Sequence, residues 1–496
     1  MAFFGIDLGT TFCSVATIDE TGRPVSISNE AGSNSTPSCI LFDGSDTPVG
    51  EVARKQLFVP GANAIGRFKR DMGTSKTYEL DGNTLTPTEL SCLLLRKLKE
   101  DAEKMVGPCG EAVVTIPANF ANEAREATLA AARSAGLNVK YIVNEPTAAA
   151  LYYAFNGDAK VSGNYAIYDL GGGTFDISIV KINGQDVEVL ATDGVSKLGG
   201  DDFDRALQLV VQKKFLALHG ETLDDADFDR NEAEEQKKSL SKRDSVKARV
   251  NRKNIELTRS EFEEALSSFI AQTEMLCESA LEQAGLEPSD IEAVFLAGGS
   301  TRIPLVKESV KRTFNKEPIA GANVDFVVSL GAALYAAHKG DPSKLSSAQR
   351  NSIEKMSVEE RTSKYFGTLS MDSENARSES RLSNSIIIPK GEVIPCEITK
   401  SFSTIQDGQT AVNCKVTESG TPETDPRFVK IIWEGELELP PGRDAGQEVT
   451  VTFGYDDNQT MNCRFLDVGS KKETVVDLSP GSAKMDSSNI DKFTVE

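Results

Sequence analysis

Two glycine turns, each preceded by an aspartate and associated with threonine, are the residues of this chain best suited to chemistry. Residues 5–11 read GIDLGTT, and residues 168–176 read YDLGGGTFD. In each copy the acidic residue, Asp7 or Asp169, ends an apolar run typical of a strand. Glycines let the backbone approach an anion closely, and consecutive backbone amides form an anion-binding concavity. Two such turns facing each other are predicted to clamp a nucleoside triphosphate and its Mg²⁺.

The side chains of both turns fit this interpretation. Threonine hydroxyls can donate hydrogen bonds to phosphate, and Asp7 and Asp169 can hold Mg²⁺ directly or through its waters. Neither copy is a Walker A loop, and the dinucleotide fingerprint G-x-G-x-x-G is absent after the first strand. An ordinary hairpin turn would explain one copy, but the recurrence of the whole pattern favours a phosphate site.

Composition limits the other function classes. The chain has 496 residues, enough for two or three domains, and 54 basic against 75 acidic residues give a net charge of -21. Such a surface repels nucleic acid and anionic membranes, so we expect neither as a partner. Eight scattered cysteines without a C-x-x-C pair, and only two histidines, argue against zinc sites and disulfides. Together with an acidic N-terminus unlike a signal peptide, this predicts a cytoplasmic protein with reduced thiols.

The elements that must position the turns alternate between strands and helices over residues 1–340. A buried strand at 112–117 precedes an alanine-rich helix at 122–135, and Thr258 with Glu261 forms a capping box that opens a long helix. The pattern predicts an α/β domain at 1–340. A polar segment, 341–364, is interpreted as a linker carrying a short helix. Alternating apolar runs separated by turn signals predict a β-sandwich at 365–479, and 480–496 is expected to be a disordered tail.

With these motifs in hand, the chain resembles the 70-kDa heat-shock chaperone family (DnaK-type). The matching segments of the α/β part occur in the family's order, and they are residues 5–11, 68–70, 114–118 with 144–150, 167–176 with 198–204, and 298–304. Weaker matches at 394–395, 402–404, 407–412 and 449–453 extend the resemblance to about residue 479. The resemblance implies an actin-like, two-lobed α/β ATPase domain followed by an all-β sandwich that grips extended peptides.

The resemblance also implies roles for individual residues of an ATP/ADP and Mg²⁺ site. Asp7 and Asp169 would hold the metal through its waters, and the catalytic set would be Lys69, Glu145, Thr174 and Asp176. The residues expected to hold the phosphates, ribose and adenine are Gly9, Thr10, Thr11, Gly171, Gly172, Gly173, Gly199, Gly200, Glu234, Lys237, Lys238, Ser241, Gly298, Gly299, Ser300, Arg302, Ile303 and Asp325. By its spacing alone, Lys69 would be an ordinary surface lysine, and Glu145 an acid at a helix start.

Further roles fall outside the nucleotide site. Phe402, Val412 and Cys414 match the apolar peptide pocket, and Pro117 and Arg125 match a pair that relays nucleotide state between the domains. A strand-ending proline and a surface arginine would explain that pair equally well. Extended apolar peptide segments are the expected ligands, and J-domain co-chaperones and nucleotide exchange factors are candidate partners.

Three departures from the family pattern separate the possible functions. The acidic-leucine linker is replaced by the polar stretch 359–366, no helical lid is expected after the sandwich, and Asn384 falls where an apolar residue usually arches over the peptide. We therefore weigh three hypotheses. The favoured one is an ATP-hydrolysing chaperone of reduced type. The alternatives are a nucleotide-gated regulatory or co-chaperone module with little turnover or peptide gripping, and a small-molecule kinase on the same scaffold.

Overall fold

The computed structural model describes residues 2–156, 162–321, 324–371, 382–457, 460–478 and 489–496. Its internal contacts divide the chain into two units. Unit 1 comprises Met1–Phe120, Ala127–Val358 and Met485–Glu496, and unit 2 comprises Ala121–Glu126 and Glu359–Lys484. Within the described ranges, every helix is too short or too polar to cross a lipid bilayer.

The helices begin and end at residues whose chemistry suits those positions. Thr258 accepts a hydrogen bond from the Glu261 backbone at 3.2 Å, and Glu261 accepts one from the Thr258 backbone at 2.9 Å, which confirms the predicted capping box. The same helix ends at Gly285, whose φ of 66° is left-handed. In chain order the helices are α1 (Glu51–Gln56), α2 (Pro87–Val106), α3 (Asn122–Ser134), α4 (Glu145–Asn156), α5 (Gly200–His219), α6 (Arg230–Leu240), α7 (Arg259–Ala284), α8 (Pro304–Phe314), α9 (Val327–Lys339) and α10 (Ser347–Ile353).

Two mixed sheets organise unit 1, with strand orders β11-β10-β1-β2-β3 and β17-β12-β13-β14. The strands are β1 (Ala2–Asp7), β2 (Phe12–Ile18), β3 (Pro24–Ile27), β4 (Thr36–Pro37), β5 (Cys39–Leu41), β6 (Asp46–Thr47), β7 (Ala64–Gly66), β8 (Tyr78–Leu80), β9 (Asn83–Leu85), β10 (Cys109–Ile116), β11 (Val139–Asn144), β12 (Ser162–Leu170), β13 (Phe175–Asn183), β14 (Asp186–Val195), β15 (Ser245–Val250), β16 (Lys253–Thr258) and β17 (Ile291–Ala297).

The two sheets repeat one local arrangement. β1 pairs antiparallel with β2 and parallel with β10, and β12 pairs antiparallel with β13 and parallel with β17. Each glycine motif is the turn of the antiparallel pair. The helices α4 and α9 approach closely, because a side chain at Gly331 of α9 would overlap the Ala148 carbonyl of α4. Unit 1 therefore carries the same strand–turn–strand device twice, as the motif pair predicts.

Unit 2 is built from two antiparallel four-stranded sheets, with orders β20-β19-β23-β24 and β22-β25-β26-β27. Apolar residues from both sheets, among them Phe366, Val416, Phe453 and Phe465, share one buried core. The strands of these sheets are β19 (Tyr365–Met371), β20 (Leu382–Ile388), β22 (Cys396–Ser403), β23 (Ala411–Ser419), β24 (Lys430–Glu438), β25 (Glu448–Tyr455), β26 (Met461–Asp467) and β27 (Glu473–Asp477). Two further strands pair with each other: β18 (Ser357–Arg361), which begins at the end of unit 1, and β21 (Val393–Ile394) of unit 2.

The segment interpreted as a linker, 341–364, is folded rather than free. Its first part holds the helix α10, and Ile353 and Met356 are buried in a core of unit 1. Its last part belongs to unit 2, where Thr362 donates to the Pro389 carbonyl at 2.8 Å and Glu360 pairs with Ile394. The segment is mostly polar, so its composition did not predict this order. A few apolar side chains become buried and a hydroxyl forms a hydrogen bond once the units fold.

The expected disordered tail, 480–496, is wrong for residues 489–496. Thr494–Val495 forms a last strand, β28, which pairs parallel with β6 of unit 1. Ile490, Phe493 and Val495 are buried, so apolar burial holds this segment in place. The remaining part of the expected tail, 480–488, lies outside the described residues.

Candidate functional site

The two glycine turns contact each other directly within unit 1. A side chain added at Gly172 would overlap the Thr11 side chain, and one added at Gly173 would overlap Thr10. Only glycine allows the backbone of the second turn to come so close to the hydroxyls of the first. The turns predicted to face each other therefore do so, and a phosphate chain between them requires that they separate.

A buried lysine–glutamate pair lies beside the turns. The Nζ of Lys69, on the short 3-10 helix Phe68–Asp71, donates to Oε1 of Glu145 at 2.6 Å, and both side chains are buried. Glu145 is the first residue of α4. Burial by itself would lower the pKa of Lys69, but the negative charges of Glu145 and Asp7 outweigh it and raise that pKa. The lysine therefore stays charged.

The carboxylates of the two motifs lie in the same electrostatic cluster. Desolvation, followed by the negative charge of Glu145, raises the pKa of Asp7 to about 7. Desolvation, followed by Glu145 and Asp176, raises the pKa of Asp169 well above its usual value. The hydroxyl of Thr115 donates to Asp7 at 3.2 Å. Repulsion among these acids shows that the residues predicted from two distant motifs are brought together.

This cluster fits a divalent cation. The cluster contains four acidic side chains: Asp7, Glu145, Asp169 and Asp176. Lys69 is the cation that acts on Asp7 and Asp169, so negative charge is in excess. The described part of the chain contains no group of three or more His, Cys, Asp or Glu side chains arranged to coordinate a metal directly. The excess of negative charge has the sign needed near a cation such as Mg²⁺, which dehydrates reluctantly and keeps several of its waters.

The second turn is held by neighbours that the sequence had assigned to nucleotide binding. Ser300 donates to the Gly171 carbonyl at 2.8 Å, and the Gly200 amide donates to the same carbonyl at 3.0 Å. Gly199 lies so close that an added Cβ would be 2.6 Å from the Gly173 nitrogen. These contacts hold the second turn against the start of α5.

The other assigned residues differ in their surroundings. Arg302 forms an exposed ion pair with Asp325 at 2.5 Å, and a Cβ added at Gly299 would be 3.1 Å from the Asp325 carboxylate. Ile303, by contrast, is buried in the core of unit 1. Its position favours packing over contact with an adenine ring.

The assigned residues on α6 also separate into two kinds. Lys237 is buried and bonds the Gly200 carbonyl at 2.9 Å and Asp204 at 2.7 Å, so it supports the second turn. Ser241 donates to the Lys237 carbonyl of its own helix. Glu234 faces Lys238 at 2.9 Å and Arg54 of α1 at 2.6 Å. Arg54 and Glu234 line a cleft that also includes Thr10, Thr11 and Arg67. The ion pair from Arg54 to Glu234 crosses this cleft.

Sequence reasoning missed a set of arginines that crosses the cleft. Arg67 pairs with Asp201, and Arg70 pairs with Asp202 and donates to the Gly173 carbonyl at 3.0 Å. Asp201 also pairs with Arg70 at 3.5 Å and with Arg230 at 3.0 Å. The signal was present in the sequence, since Arg70 follows Lys69 and two aspartates follow the glycine pair at 199–200.

Comparison with known families identifies the chain. The family model described as Hsp70 protein matches residues 3–496. The chain belongs to the Hsp70 family. Members of this family are in general Mg²⁺-dependent ATPases and chaperones. The resemblance drawn from the motifs is therefore confirmed, and the match extends over both units of this Hsp70.

In unit 2 of this Hsp70, the three residues that the sequence assigned to a peptide pocket are not equally accessible. Phe402 and Val412 are half-buried against the sandwich core, whereas Cys414 is 1% exposed and belongs to that core. Asn384 is also buried, where it accepts from Thr417 at 2.6 Å and donates to the Glu423 carbonyl at 2.8 Å. Cys414 therefore packs in the sandwich core, and the Asn384 amide is used in hydrogen bonds within the fold.

The two relay residues lie on one short stretch of this Hsp70. Pro117 follows β10, whose Thr115 bonds Asp7, and the Asn119 amide donates to Asp176 at 3.3 Å. A few residues later Arg125 is buried in unit 2 and donates to Ser363 at 3.2 Å.

Proposed function

We propose that this Hsp70 hydrolyses ATP to ADP and phosphate in unit 1 and binds extended apolar peptide segments through unit 2. The observation that carries the proposal is the buried Lys69–Glu145 pair, which lies within an acidic cluster beside two facing glycine turns. Phosphoryl transfer to water depends mostly on positioning and charge stabilisation, and this set of groups supplies both.

Each group of the cluster has a role in this proposal. The backbone of residues 171–173 and the hydroxyls of Thr10, Thr11 and Thr174 would hold the phosphates once the turns separate. Lys69 would place its charge against the γ-phosphate. Glu145 and Asp176, as anionic acceptors, would orient the attacking water. Mg²⁺, held through its waters by Asp7 and Asp169, would neutralise charge on the phosphates.

Peptide binding would use the half-buried apolar surface around Phe402 and Val412. Ile405, three residues after Phe402, is 57% exposed, which makes it a further apolar contact. An extended peptide can satisfy its backbone groups on strand edges and place alternate side chains in pockets. The relay would run through the stretch from Pro117 to Arg125. The family's J-domain co-chaperones and exchange factors are the proposed partners, and the eight free thiols fit a cytoplasmic location.

One observation favours a second candidate function, a nucleotide-gated module with little turnover. The direct contact of the turns and the pairs from Arg67 and Arg70 to α5 close the cleft. Opening the cleft breaks these ion pairs. Nucleotide binding would then control the conformation of unit 1 more than it supports ATP hydrolysis.

A single pair of measurements separates the two candidates. Phosphate release from the full chain measures turnover, and fluorescence anisotropy of a labelled extended apolar peptide measures affinity in ATP and in ADP. Turnover with weaker, faster peptide binding in ATP supports the chaperone. Nucleotide binding without turnover or without peptide binding supports the gated module.

A further inference from the structure

Residues 489–496 dock on unit 1 by adding a strand. The Thr494 amide donates to the Ser45 carbonyl at 2.9 Å, and the Val49 amide donates to the Glu496 carbonyl at 2.9 Å. The Thr47 hydroxyl donates to the Thr494 carbonyl at 2.8 Å. This is strand addition, the same physical mode by which proteins capture extended peptides.

Side chains give the docking its specificity. Phe493 and Val495 point into unit 1 and alternate with the exposed Thr494, as a half-buried strand requires. Phe493 meets Phe42 edge to face, with ring centres 5.2 Å apart, and Ile490 is fully buried. Polar and apolar contacts therefore select a turn, in which the Phe493 amide donates to the Ile490 carbonyl at 3.1 Å, followed by the short strand Thr494–Val495.

Polar contacts fix the register of the same segment on α2 and on the strand before it. Asn489 donates to Glu89 at 3.1 Å, and Arg96 donates to Asp491 at 3.1 Å. Lys492 donates to the Asn83 side chain at 2.6 Å. The three side chains that the segment contributes are exposed, so these contacts set position more than affinity.

The strand that receives the segment is too short to be stable alone. β6 is two residues long and pairs with β28. Its other backbone ties are two isolated bridges of the same loop, Asp46 to Asp43 and Val49 to Ile40. A two-stranded ribbon of this length needs packing to persist in water. Without residues 489–496 we expect the loop around β6 to lose its order.

That loop leads directly into the cleft. Val49, which bonds the docked segment, precedes Gly50, the N-cap of α1. Arg54 of α1 then bridges to Glu234 of α6 at 2.6 Å. Order at β6 is thus transmitted over five residues of chain to an ion pair that spans the nucleotide cleft.

We propose that residues 489–496 are an intramolecular strand ligand that holds α1 in place and thereby strengthens the Arg54–Glu234 bridge across the cleft. Release of the segment loosens α1 and speeds the escape of bound nucleotide. The effect on nucleotide rests on the proposed ATP site, whereas the docking and the restraint of α1 do not.

The test compares two variants of the full chain. Ile490→Ala with Phe493→Ala removes the buried anchors, and Thr494→Ala is the matched control, since its side chain is exposed and its backbone bonds remain. Hydrogen exchange without nucleotide should be at least about tenfold faster at residues 45–56 in the double variant and unchanged in the control. Equal exchange in the double variant and wild type overturns the proposal.

The second readout is the release of a fluorescent ADP analogue. We expect release at least about fivefold faster in the double variant, with the control unchanged, and slowing again when a synthetic peptide of residues 489–496 is added. Faster exchange at 45–56 with unchanged release overturns the link to the cleft. If neither the variants nor the wild type bind the analogue, the proposed ATP site is rejected. The hydrogen-exchange result then still tests whether residues 489–496 restrain α1. If the double variant aggregates, Val495→Ala alone serves the same comparison.

Discussion

The Nζ of Lys69 lies 2.6 Å from Oε1 of Glu145, and both side chains are almost fully withdrawn from solvent. A buried ion pair is weak evidence for stability, because desolvation offsets much of its attraction. Because the pair lies beside the acidic cluster, we propose a catalytic role for it rather than a stabilising one.

Replacing Lys69 with alanine should leave ATP affinity nearly unchanged and lower the rate of hydrolysis by about 100-fold or more, the usual effect of removing one charge-stabilising group. Single-turnover hydrolysis and equilibrium binding of a fluorescent ATP analogue measure the two quantities. Lys76→Ala is the control, because Lys76 is exposed and pairs only locally with Asp71 at 2.7 Å. Surviving turnover in Lys69→Ala would show that the assignment of Lys69 is wrong.

Asp7→Asn should stabilise unit 1 when Mg²⁺ and nucleotide are absent. The pKa of Asp7 rises from 3.8 to about 7 on folding, so the folded state holds its proton more tightly and stability falls as pH rises between these values. The asparagine variant lacks this penalty. Thermal unfolding between pH 5 and 8 should show a Tm gain of roughly 3 °C that grows with pH.

Asp19→Asn is the control for that experiment, because its expected change in Tm has the opposite sign. Despite some desolvation, hydrogen bonds from Thr21 and Arg23 lower the pKa of Asp19, so its charge stabilises the folded state above pH 4. Its replacement should lower the Tm slightly at neutral pH. A Tm for Asp7→Asn that falls with rising pH, relative to wild type, would contradict the proposed repulsion in the cluster.

Gly172→Ala should weaken the closed contact between the two turns, whereas Gly171→Ala should be tolerated. A Cβ at Gly172 overlaps Thr11, but one at Gly171 meets the Thr174 carbonyl at an ordinary 3.9 Å. Overpacking of this kind costs about 1–3 kcal/mol, or roughly 3 °C or more of Tm for a unit of this size. Differential scanning calorimetry of both variants decides, and equal Tm values would mean that the turns do not rest against each other.

Arg443→Met should destabilise unit 2 far more than Arg427→Met, although both arginines place Nη2 2.6 Å from an aspartate oxygen. Asp467, the partner of Arg443, is fully buried, while the Arg427 side chain is 80% exposed. Breaking the first pair should cost about 2–3 kcal/mol, below the range for a fully buried pair because Arg443 is partly exposed. Breaking the second should produce no measurable change.

Trp433, the single tryptophan of the chain, reports this comparison because it stacks on Phe465 within unit 2. Denaturant unfolding followed by its fluorescence gives the free energy of each variant. Desolvation opposes the shift, but hydrogen bonds from Arg443 and Ser470 hold the pKa of Asp467 below 3.8. Its contribution is therefore present above pH 4 and lost as the pH falls below that. Similar unfolding free energies for the two variants would refute the role given to burial.

The amino-acid sequence by itself determined the local parts of this protein. The two motif turns, the capping box of α7 and the alternating strands of unit 2 follow from glycine, capping and period-two patterns, which act over a few residues. The family resemblance added the roles of Lys69 and Glu145, which spacing alone would have left as a surface lysine and a helix-start acid.

Tertiary structure decided whatever depends on residues far apart in the chain. The pairs from Arg67 and Arg70 to α5, the burial of Ile303 and Cys414, and the docking of residues 489–496 on β6 join segments separated by tens to hundreds of positions. A polar linker and a short tail look free in sequence, because burial of a few apolar side chains is a property of the surface they meet. That surface exists only once unit 1 has folded.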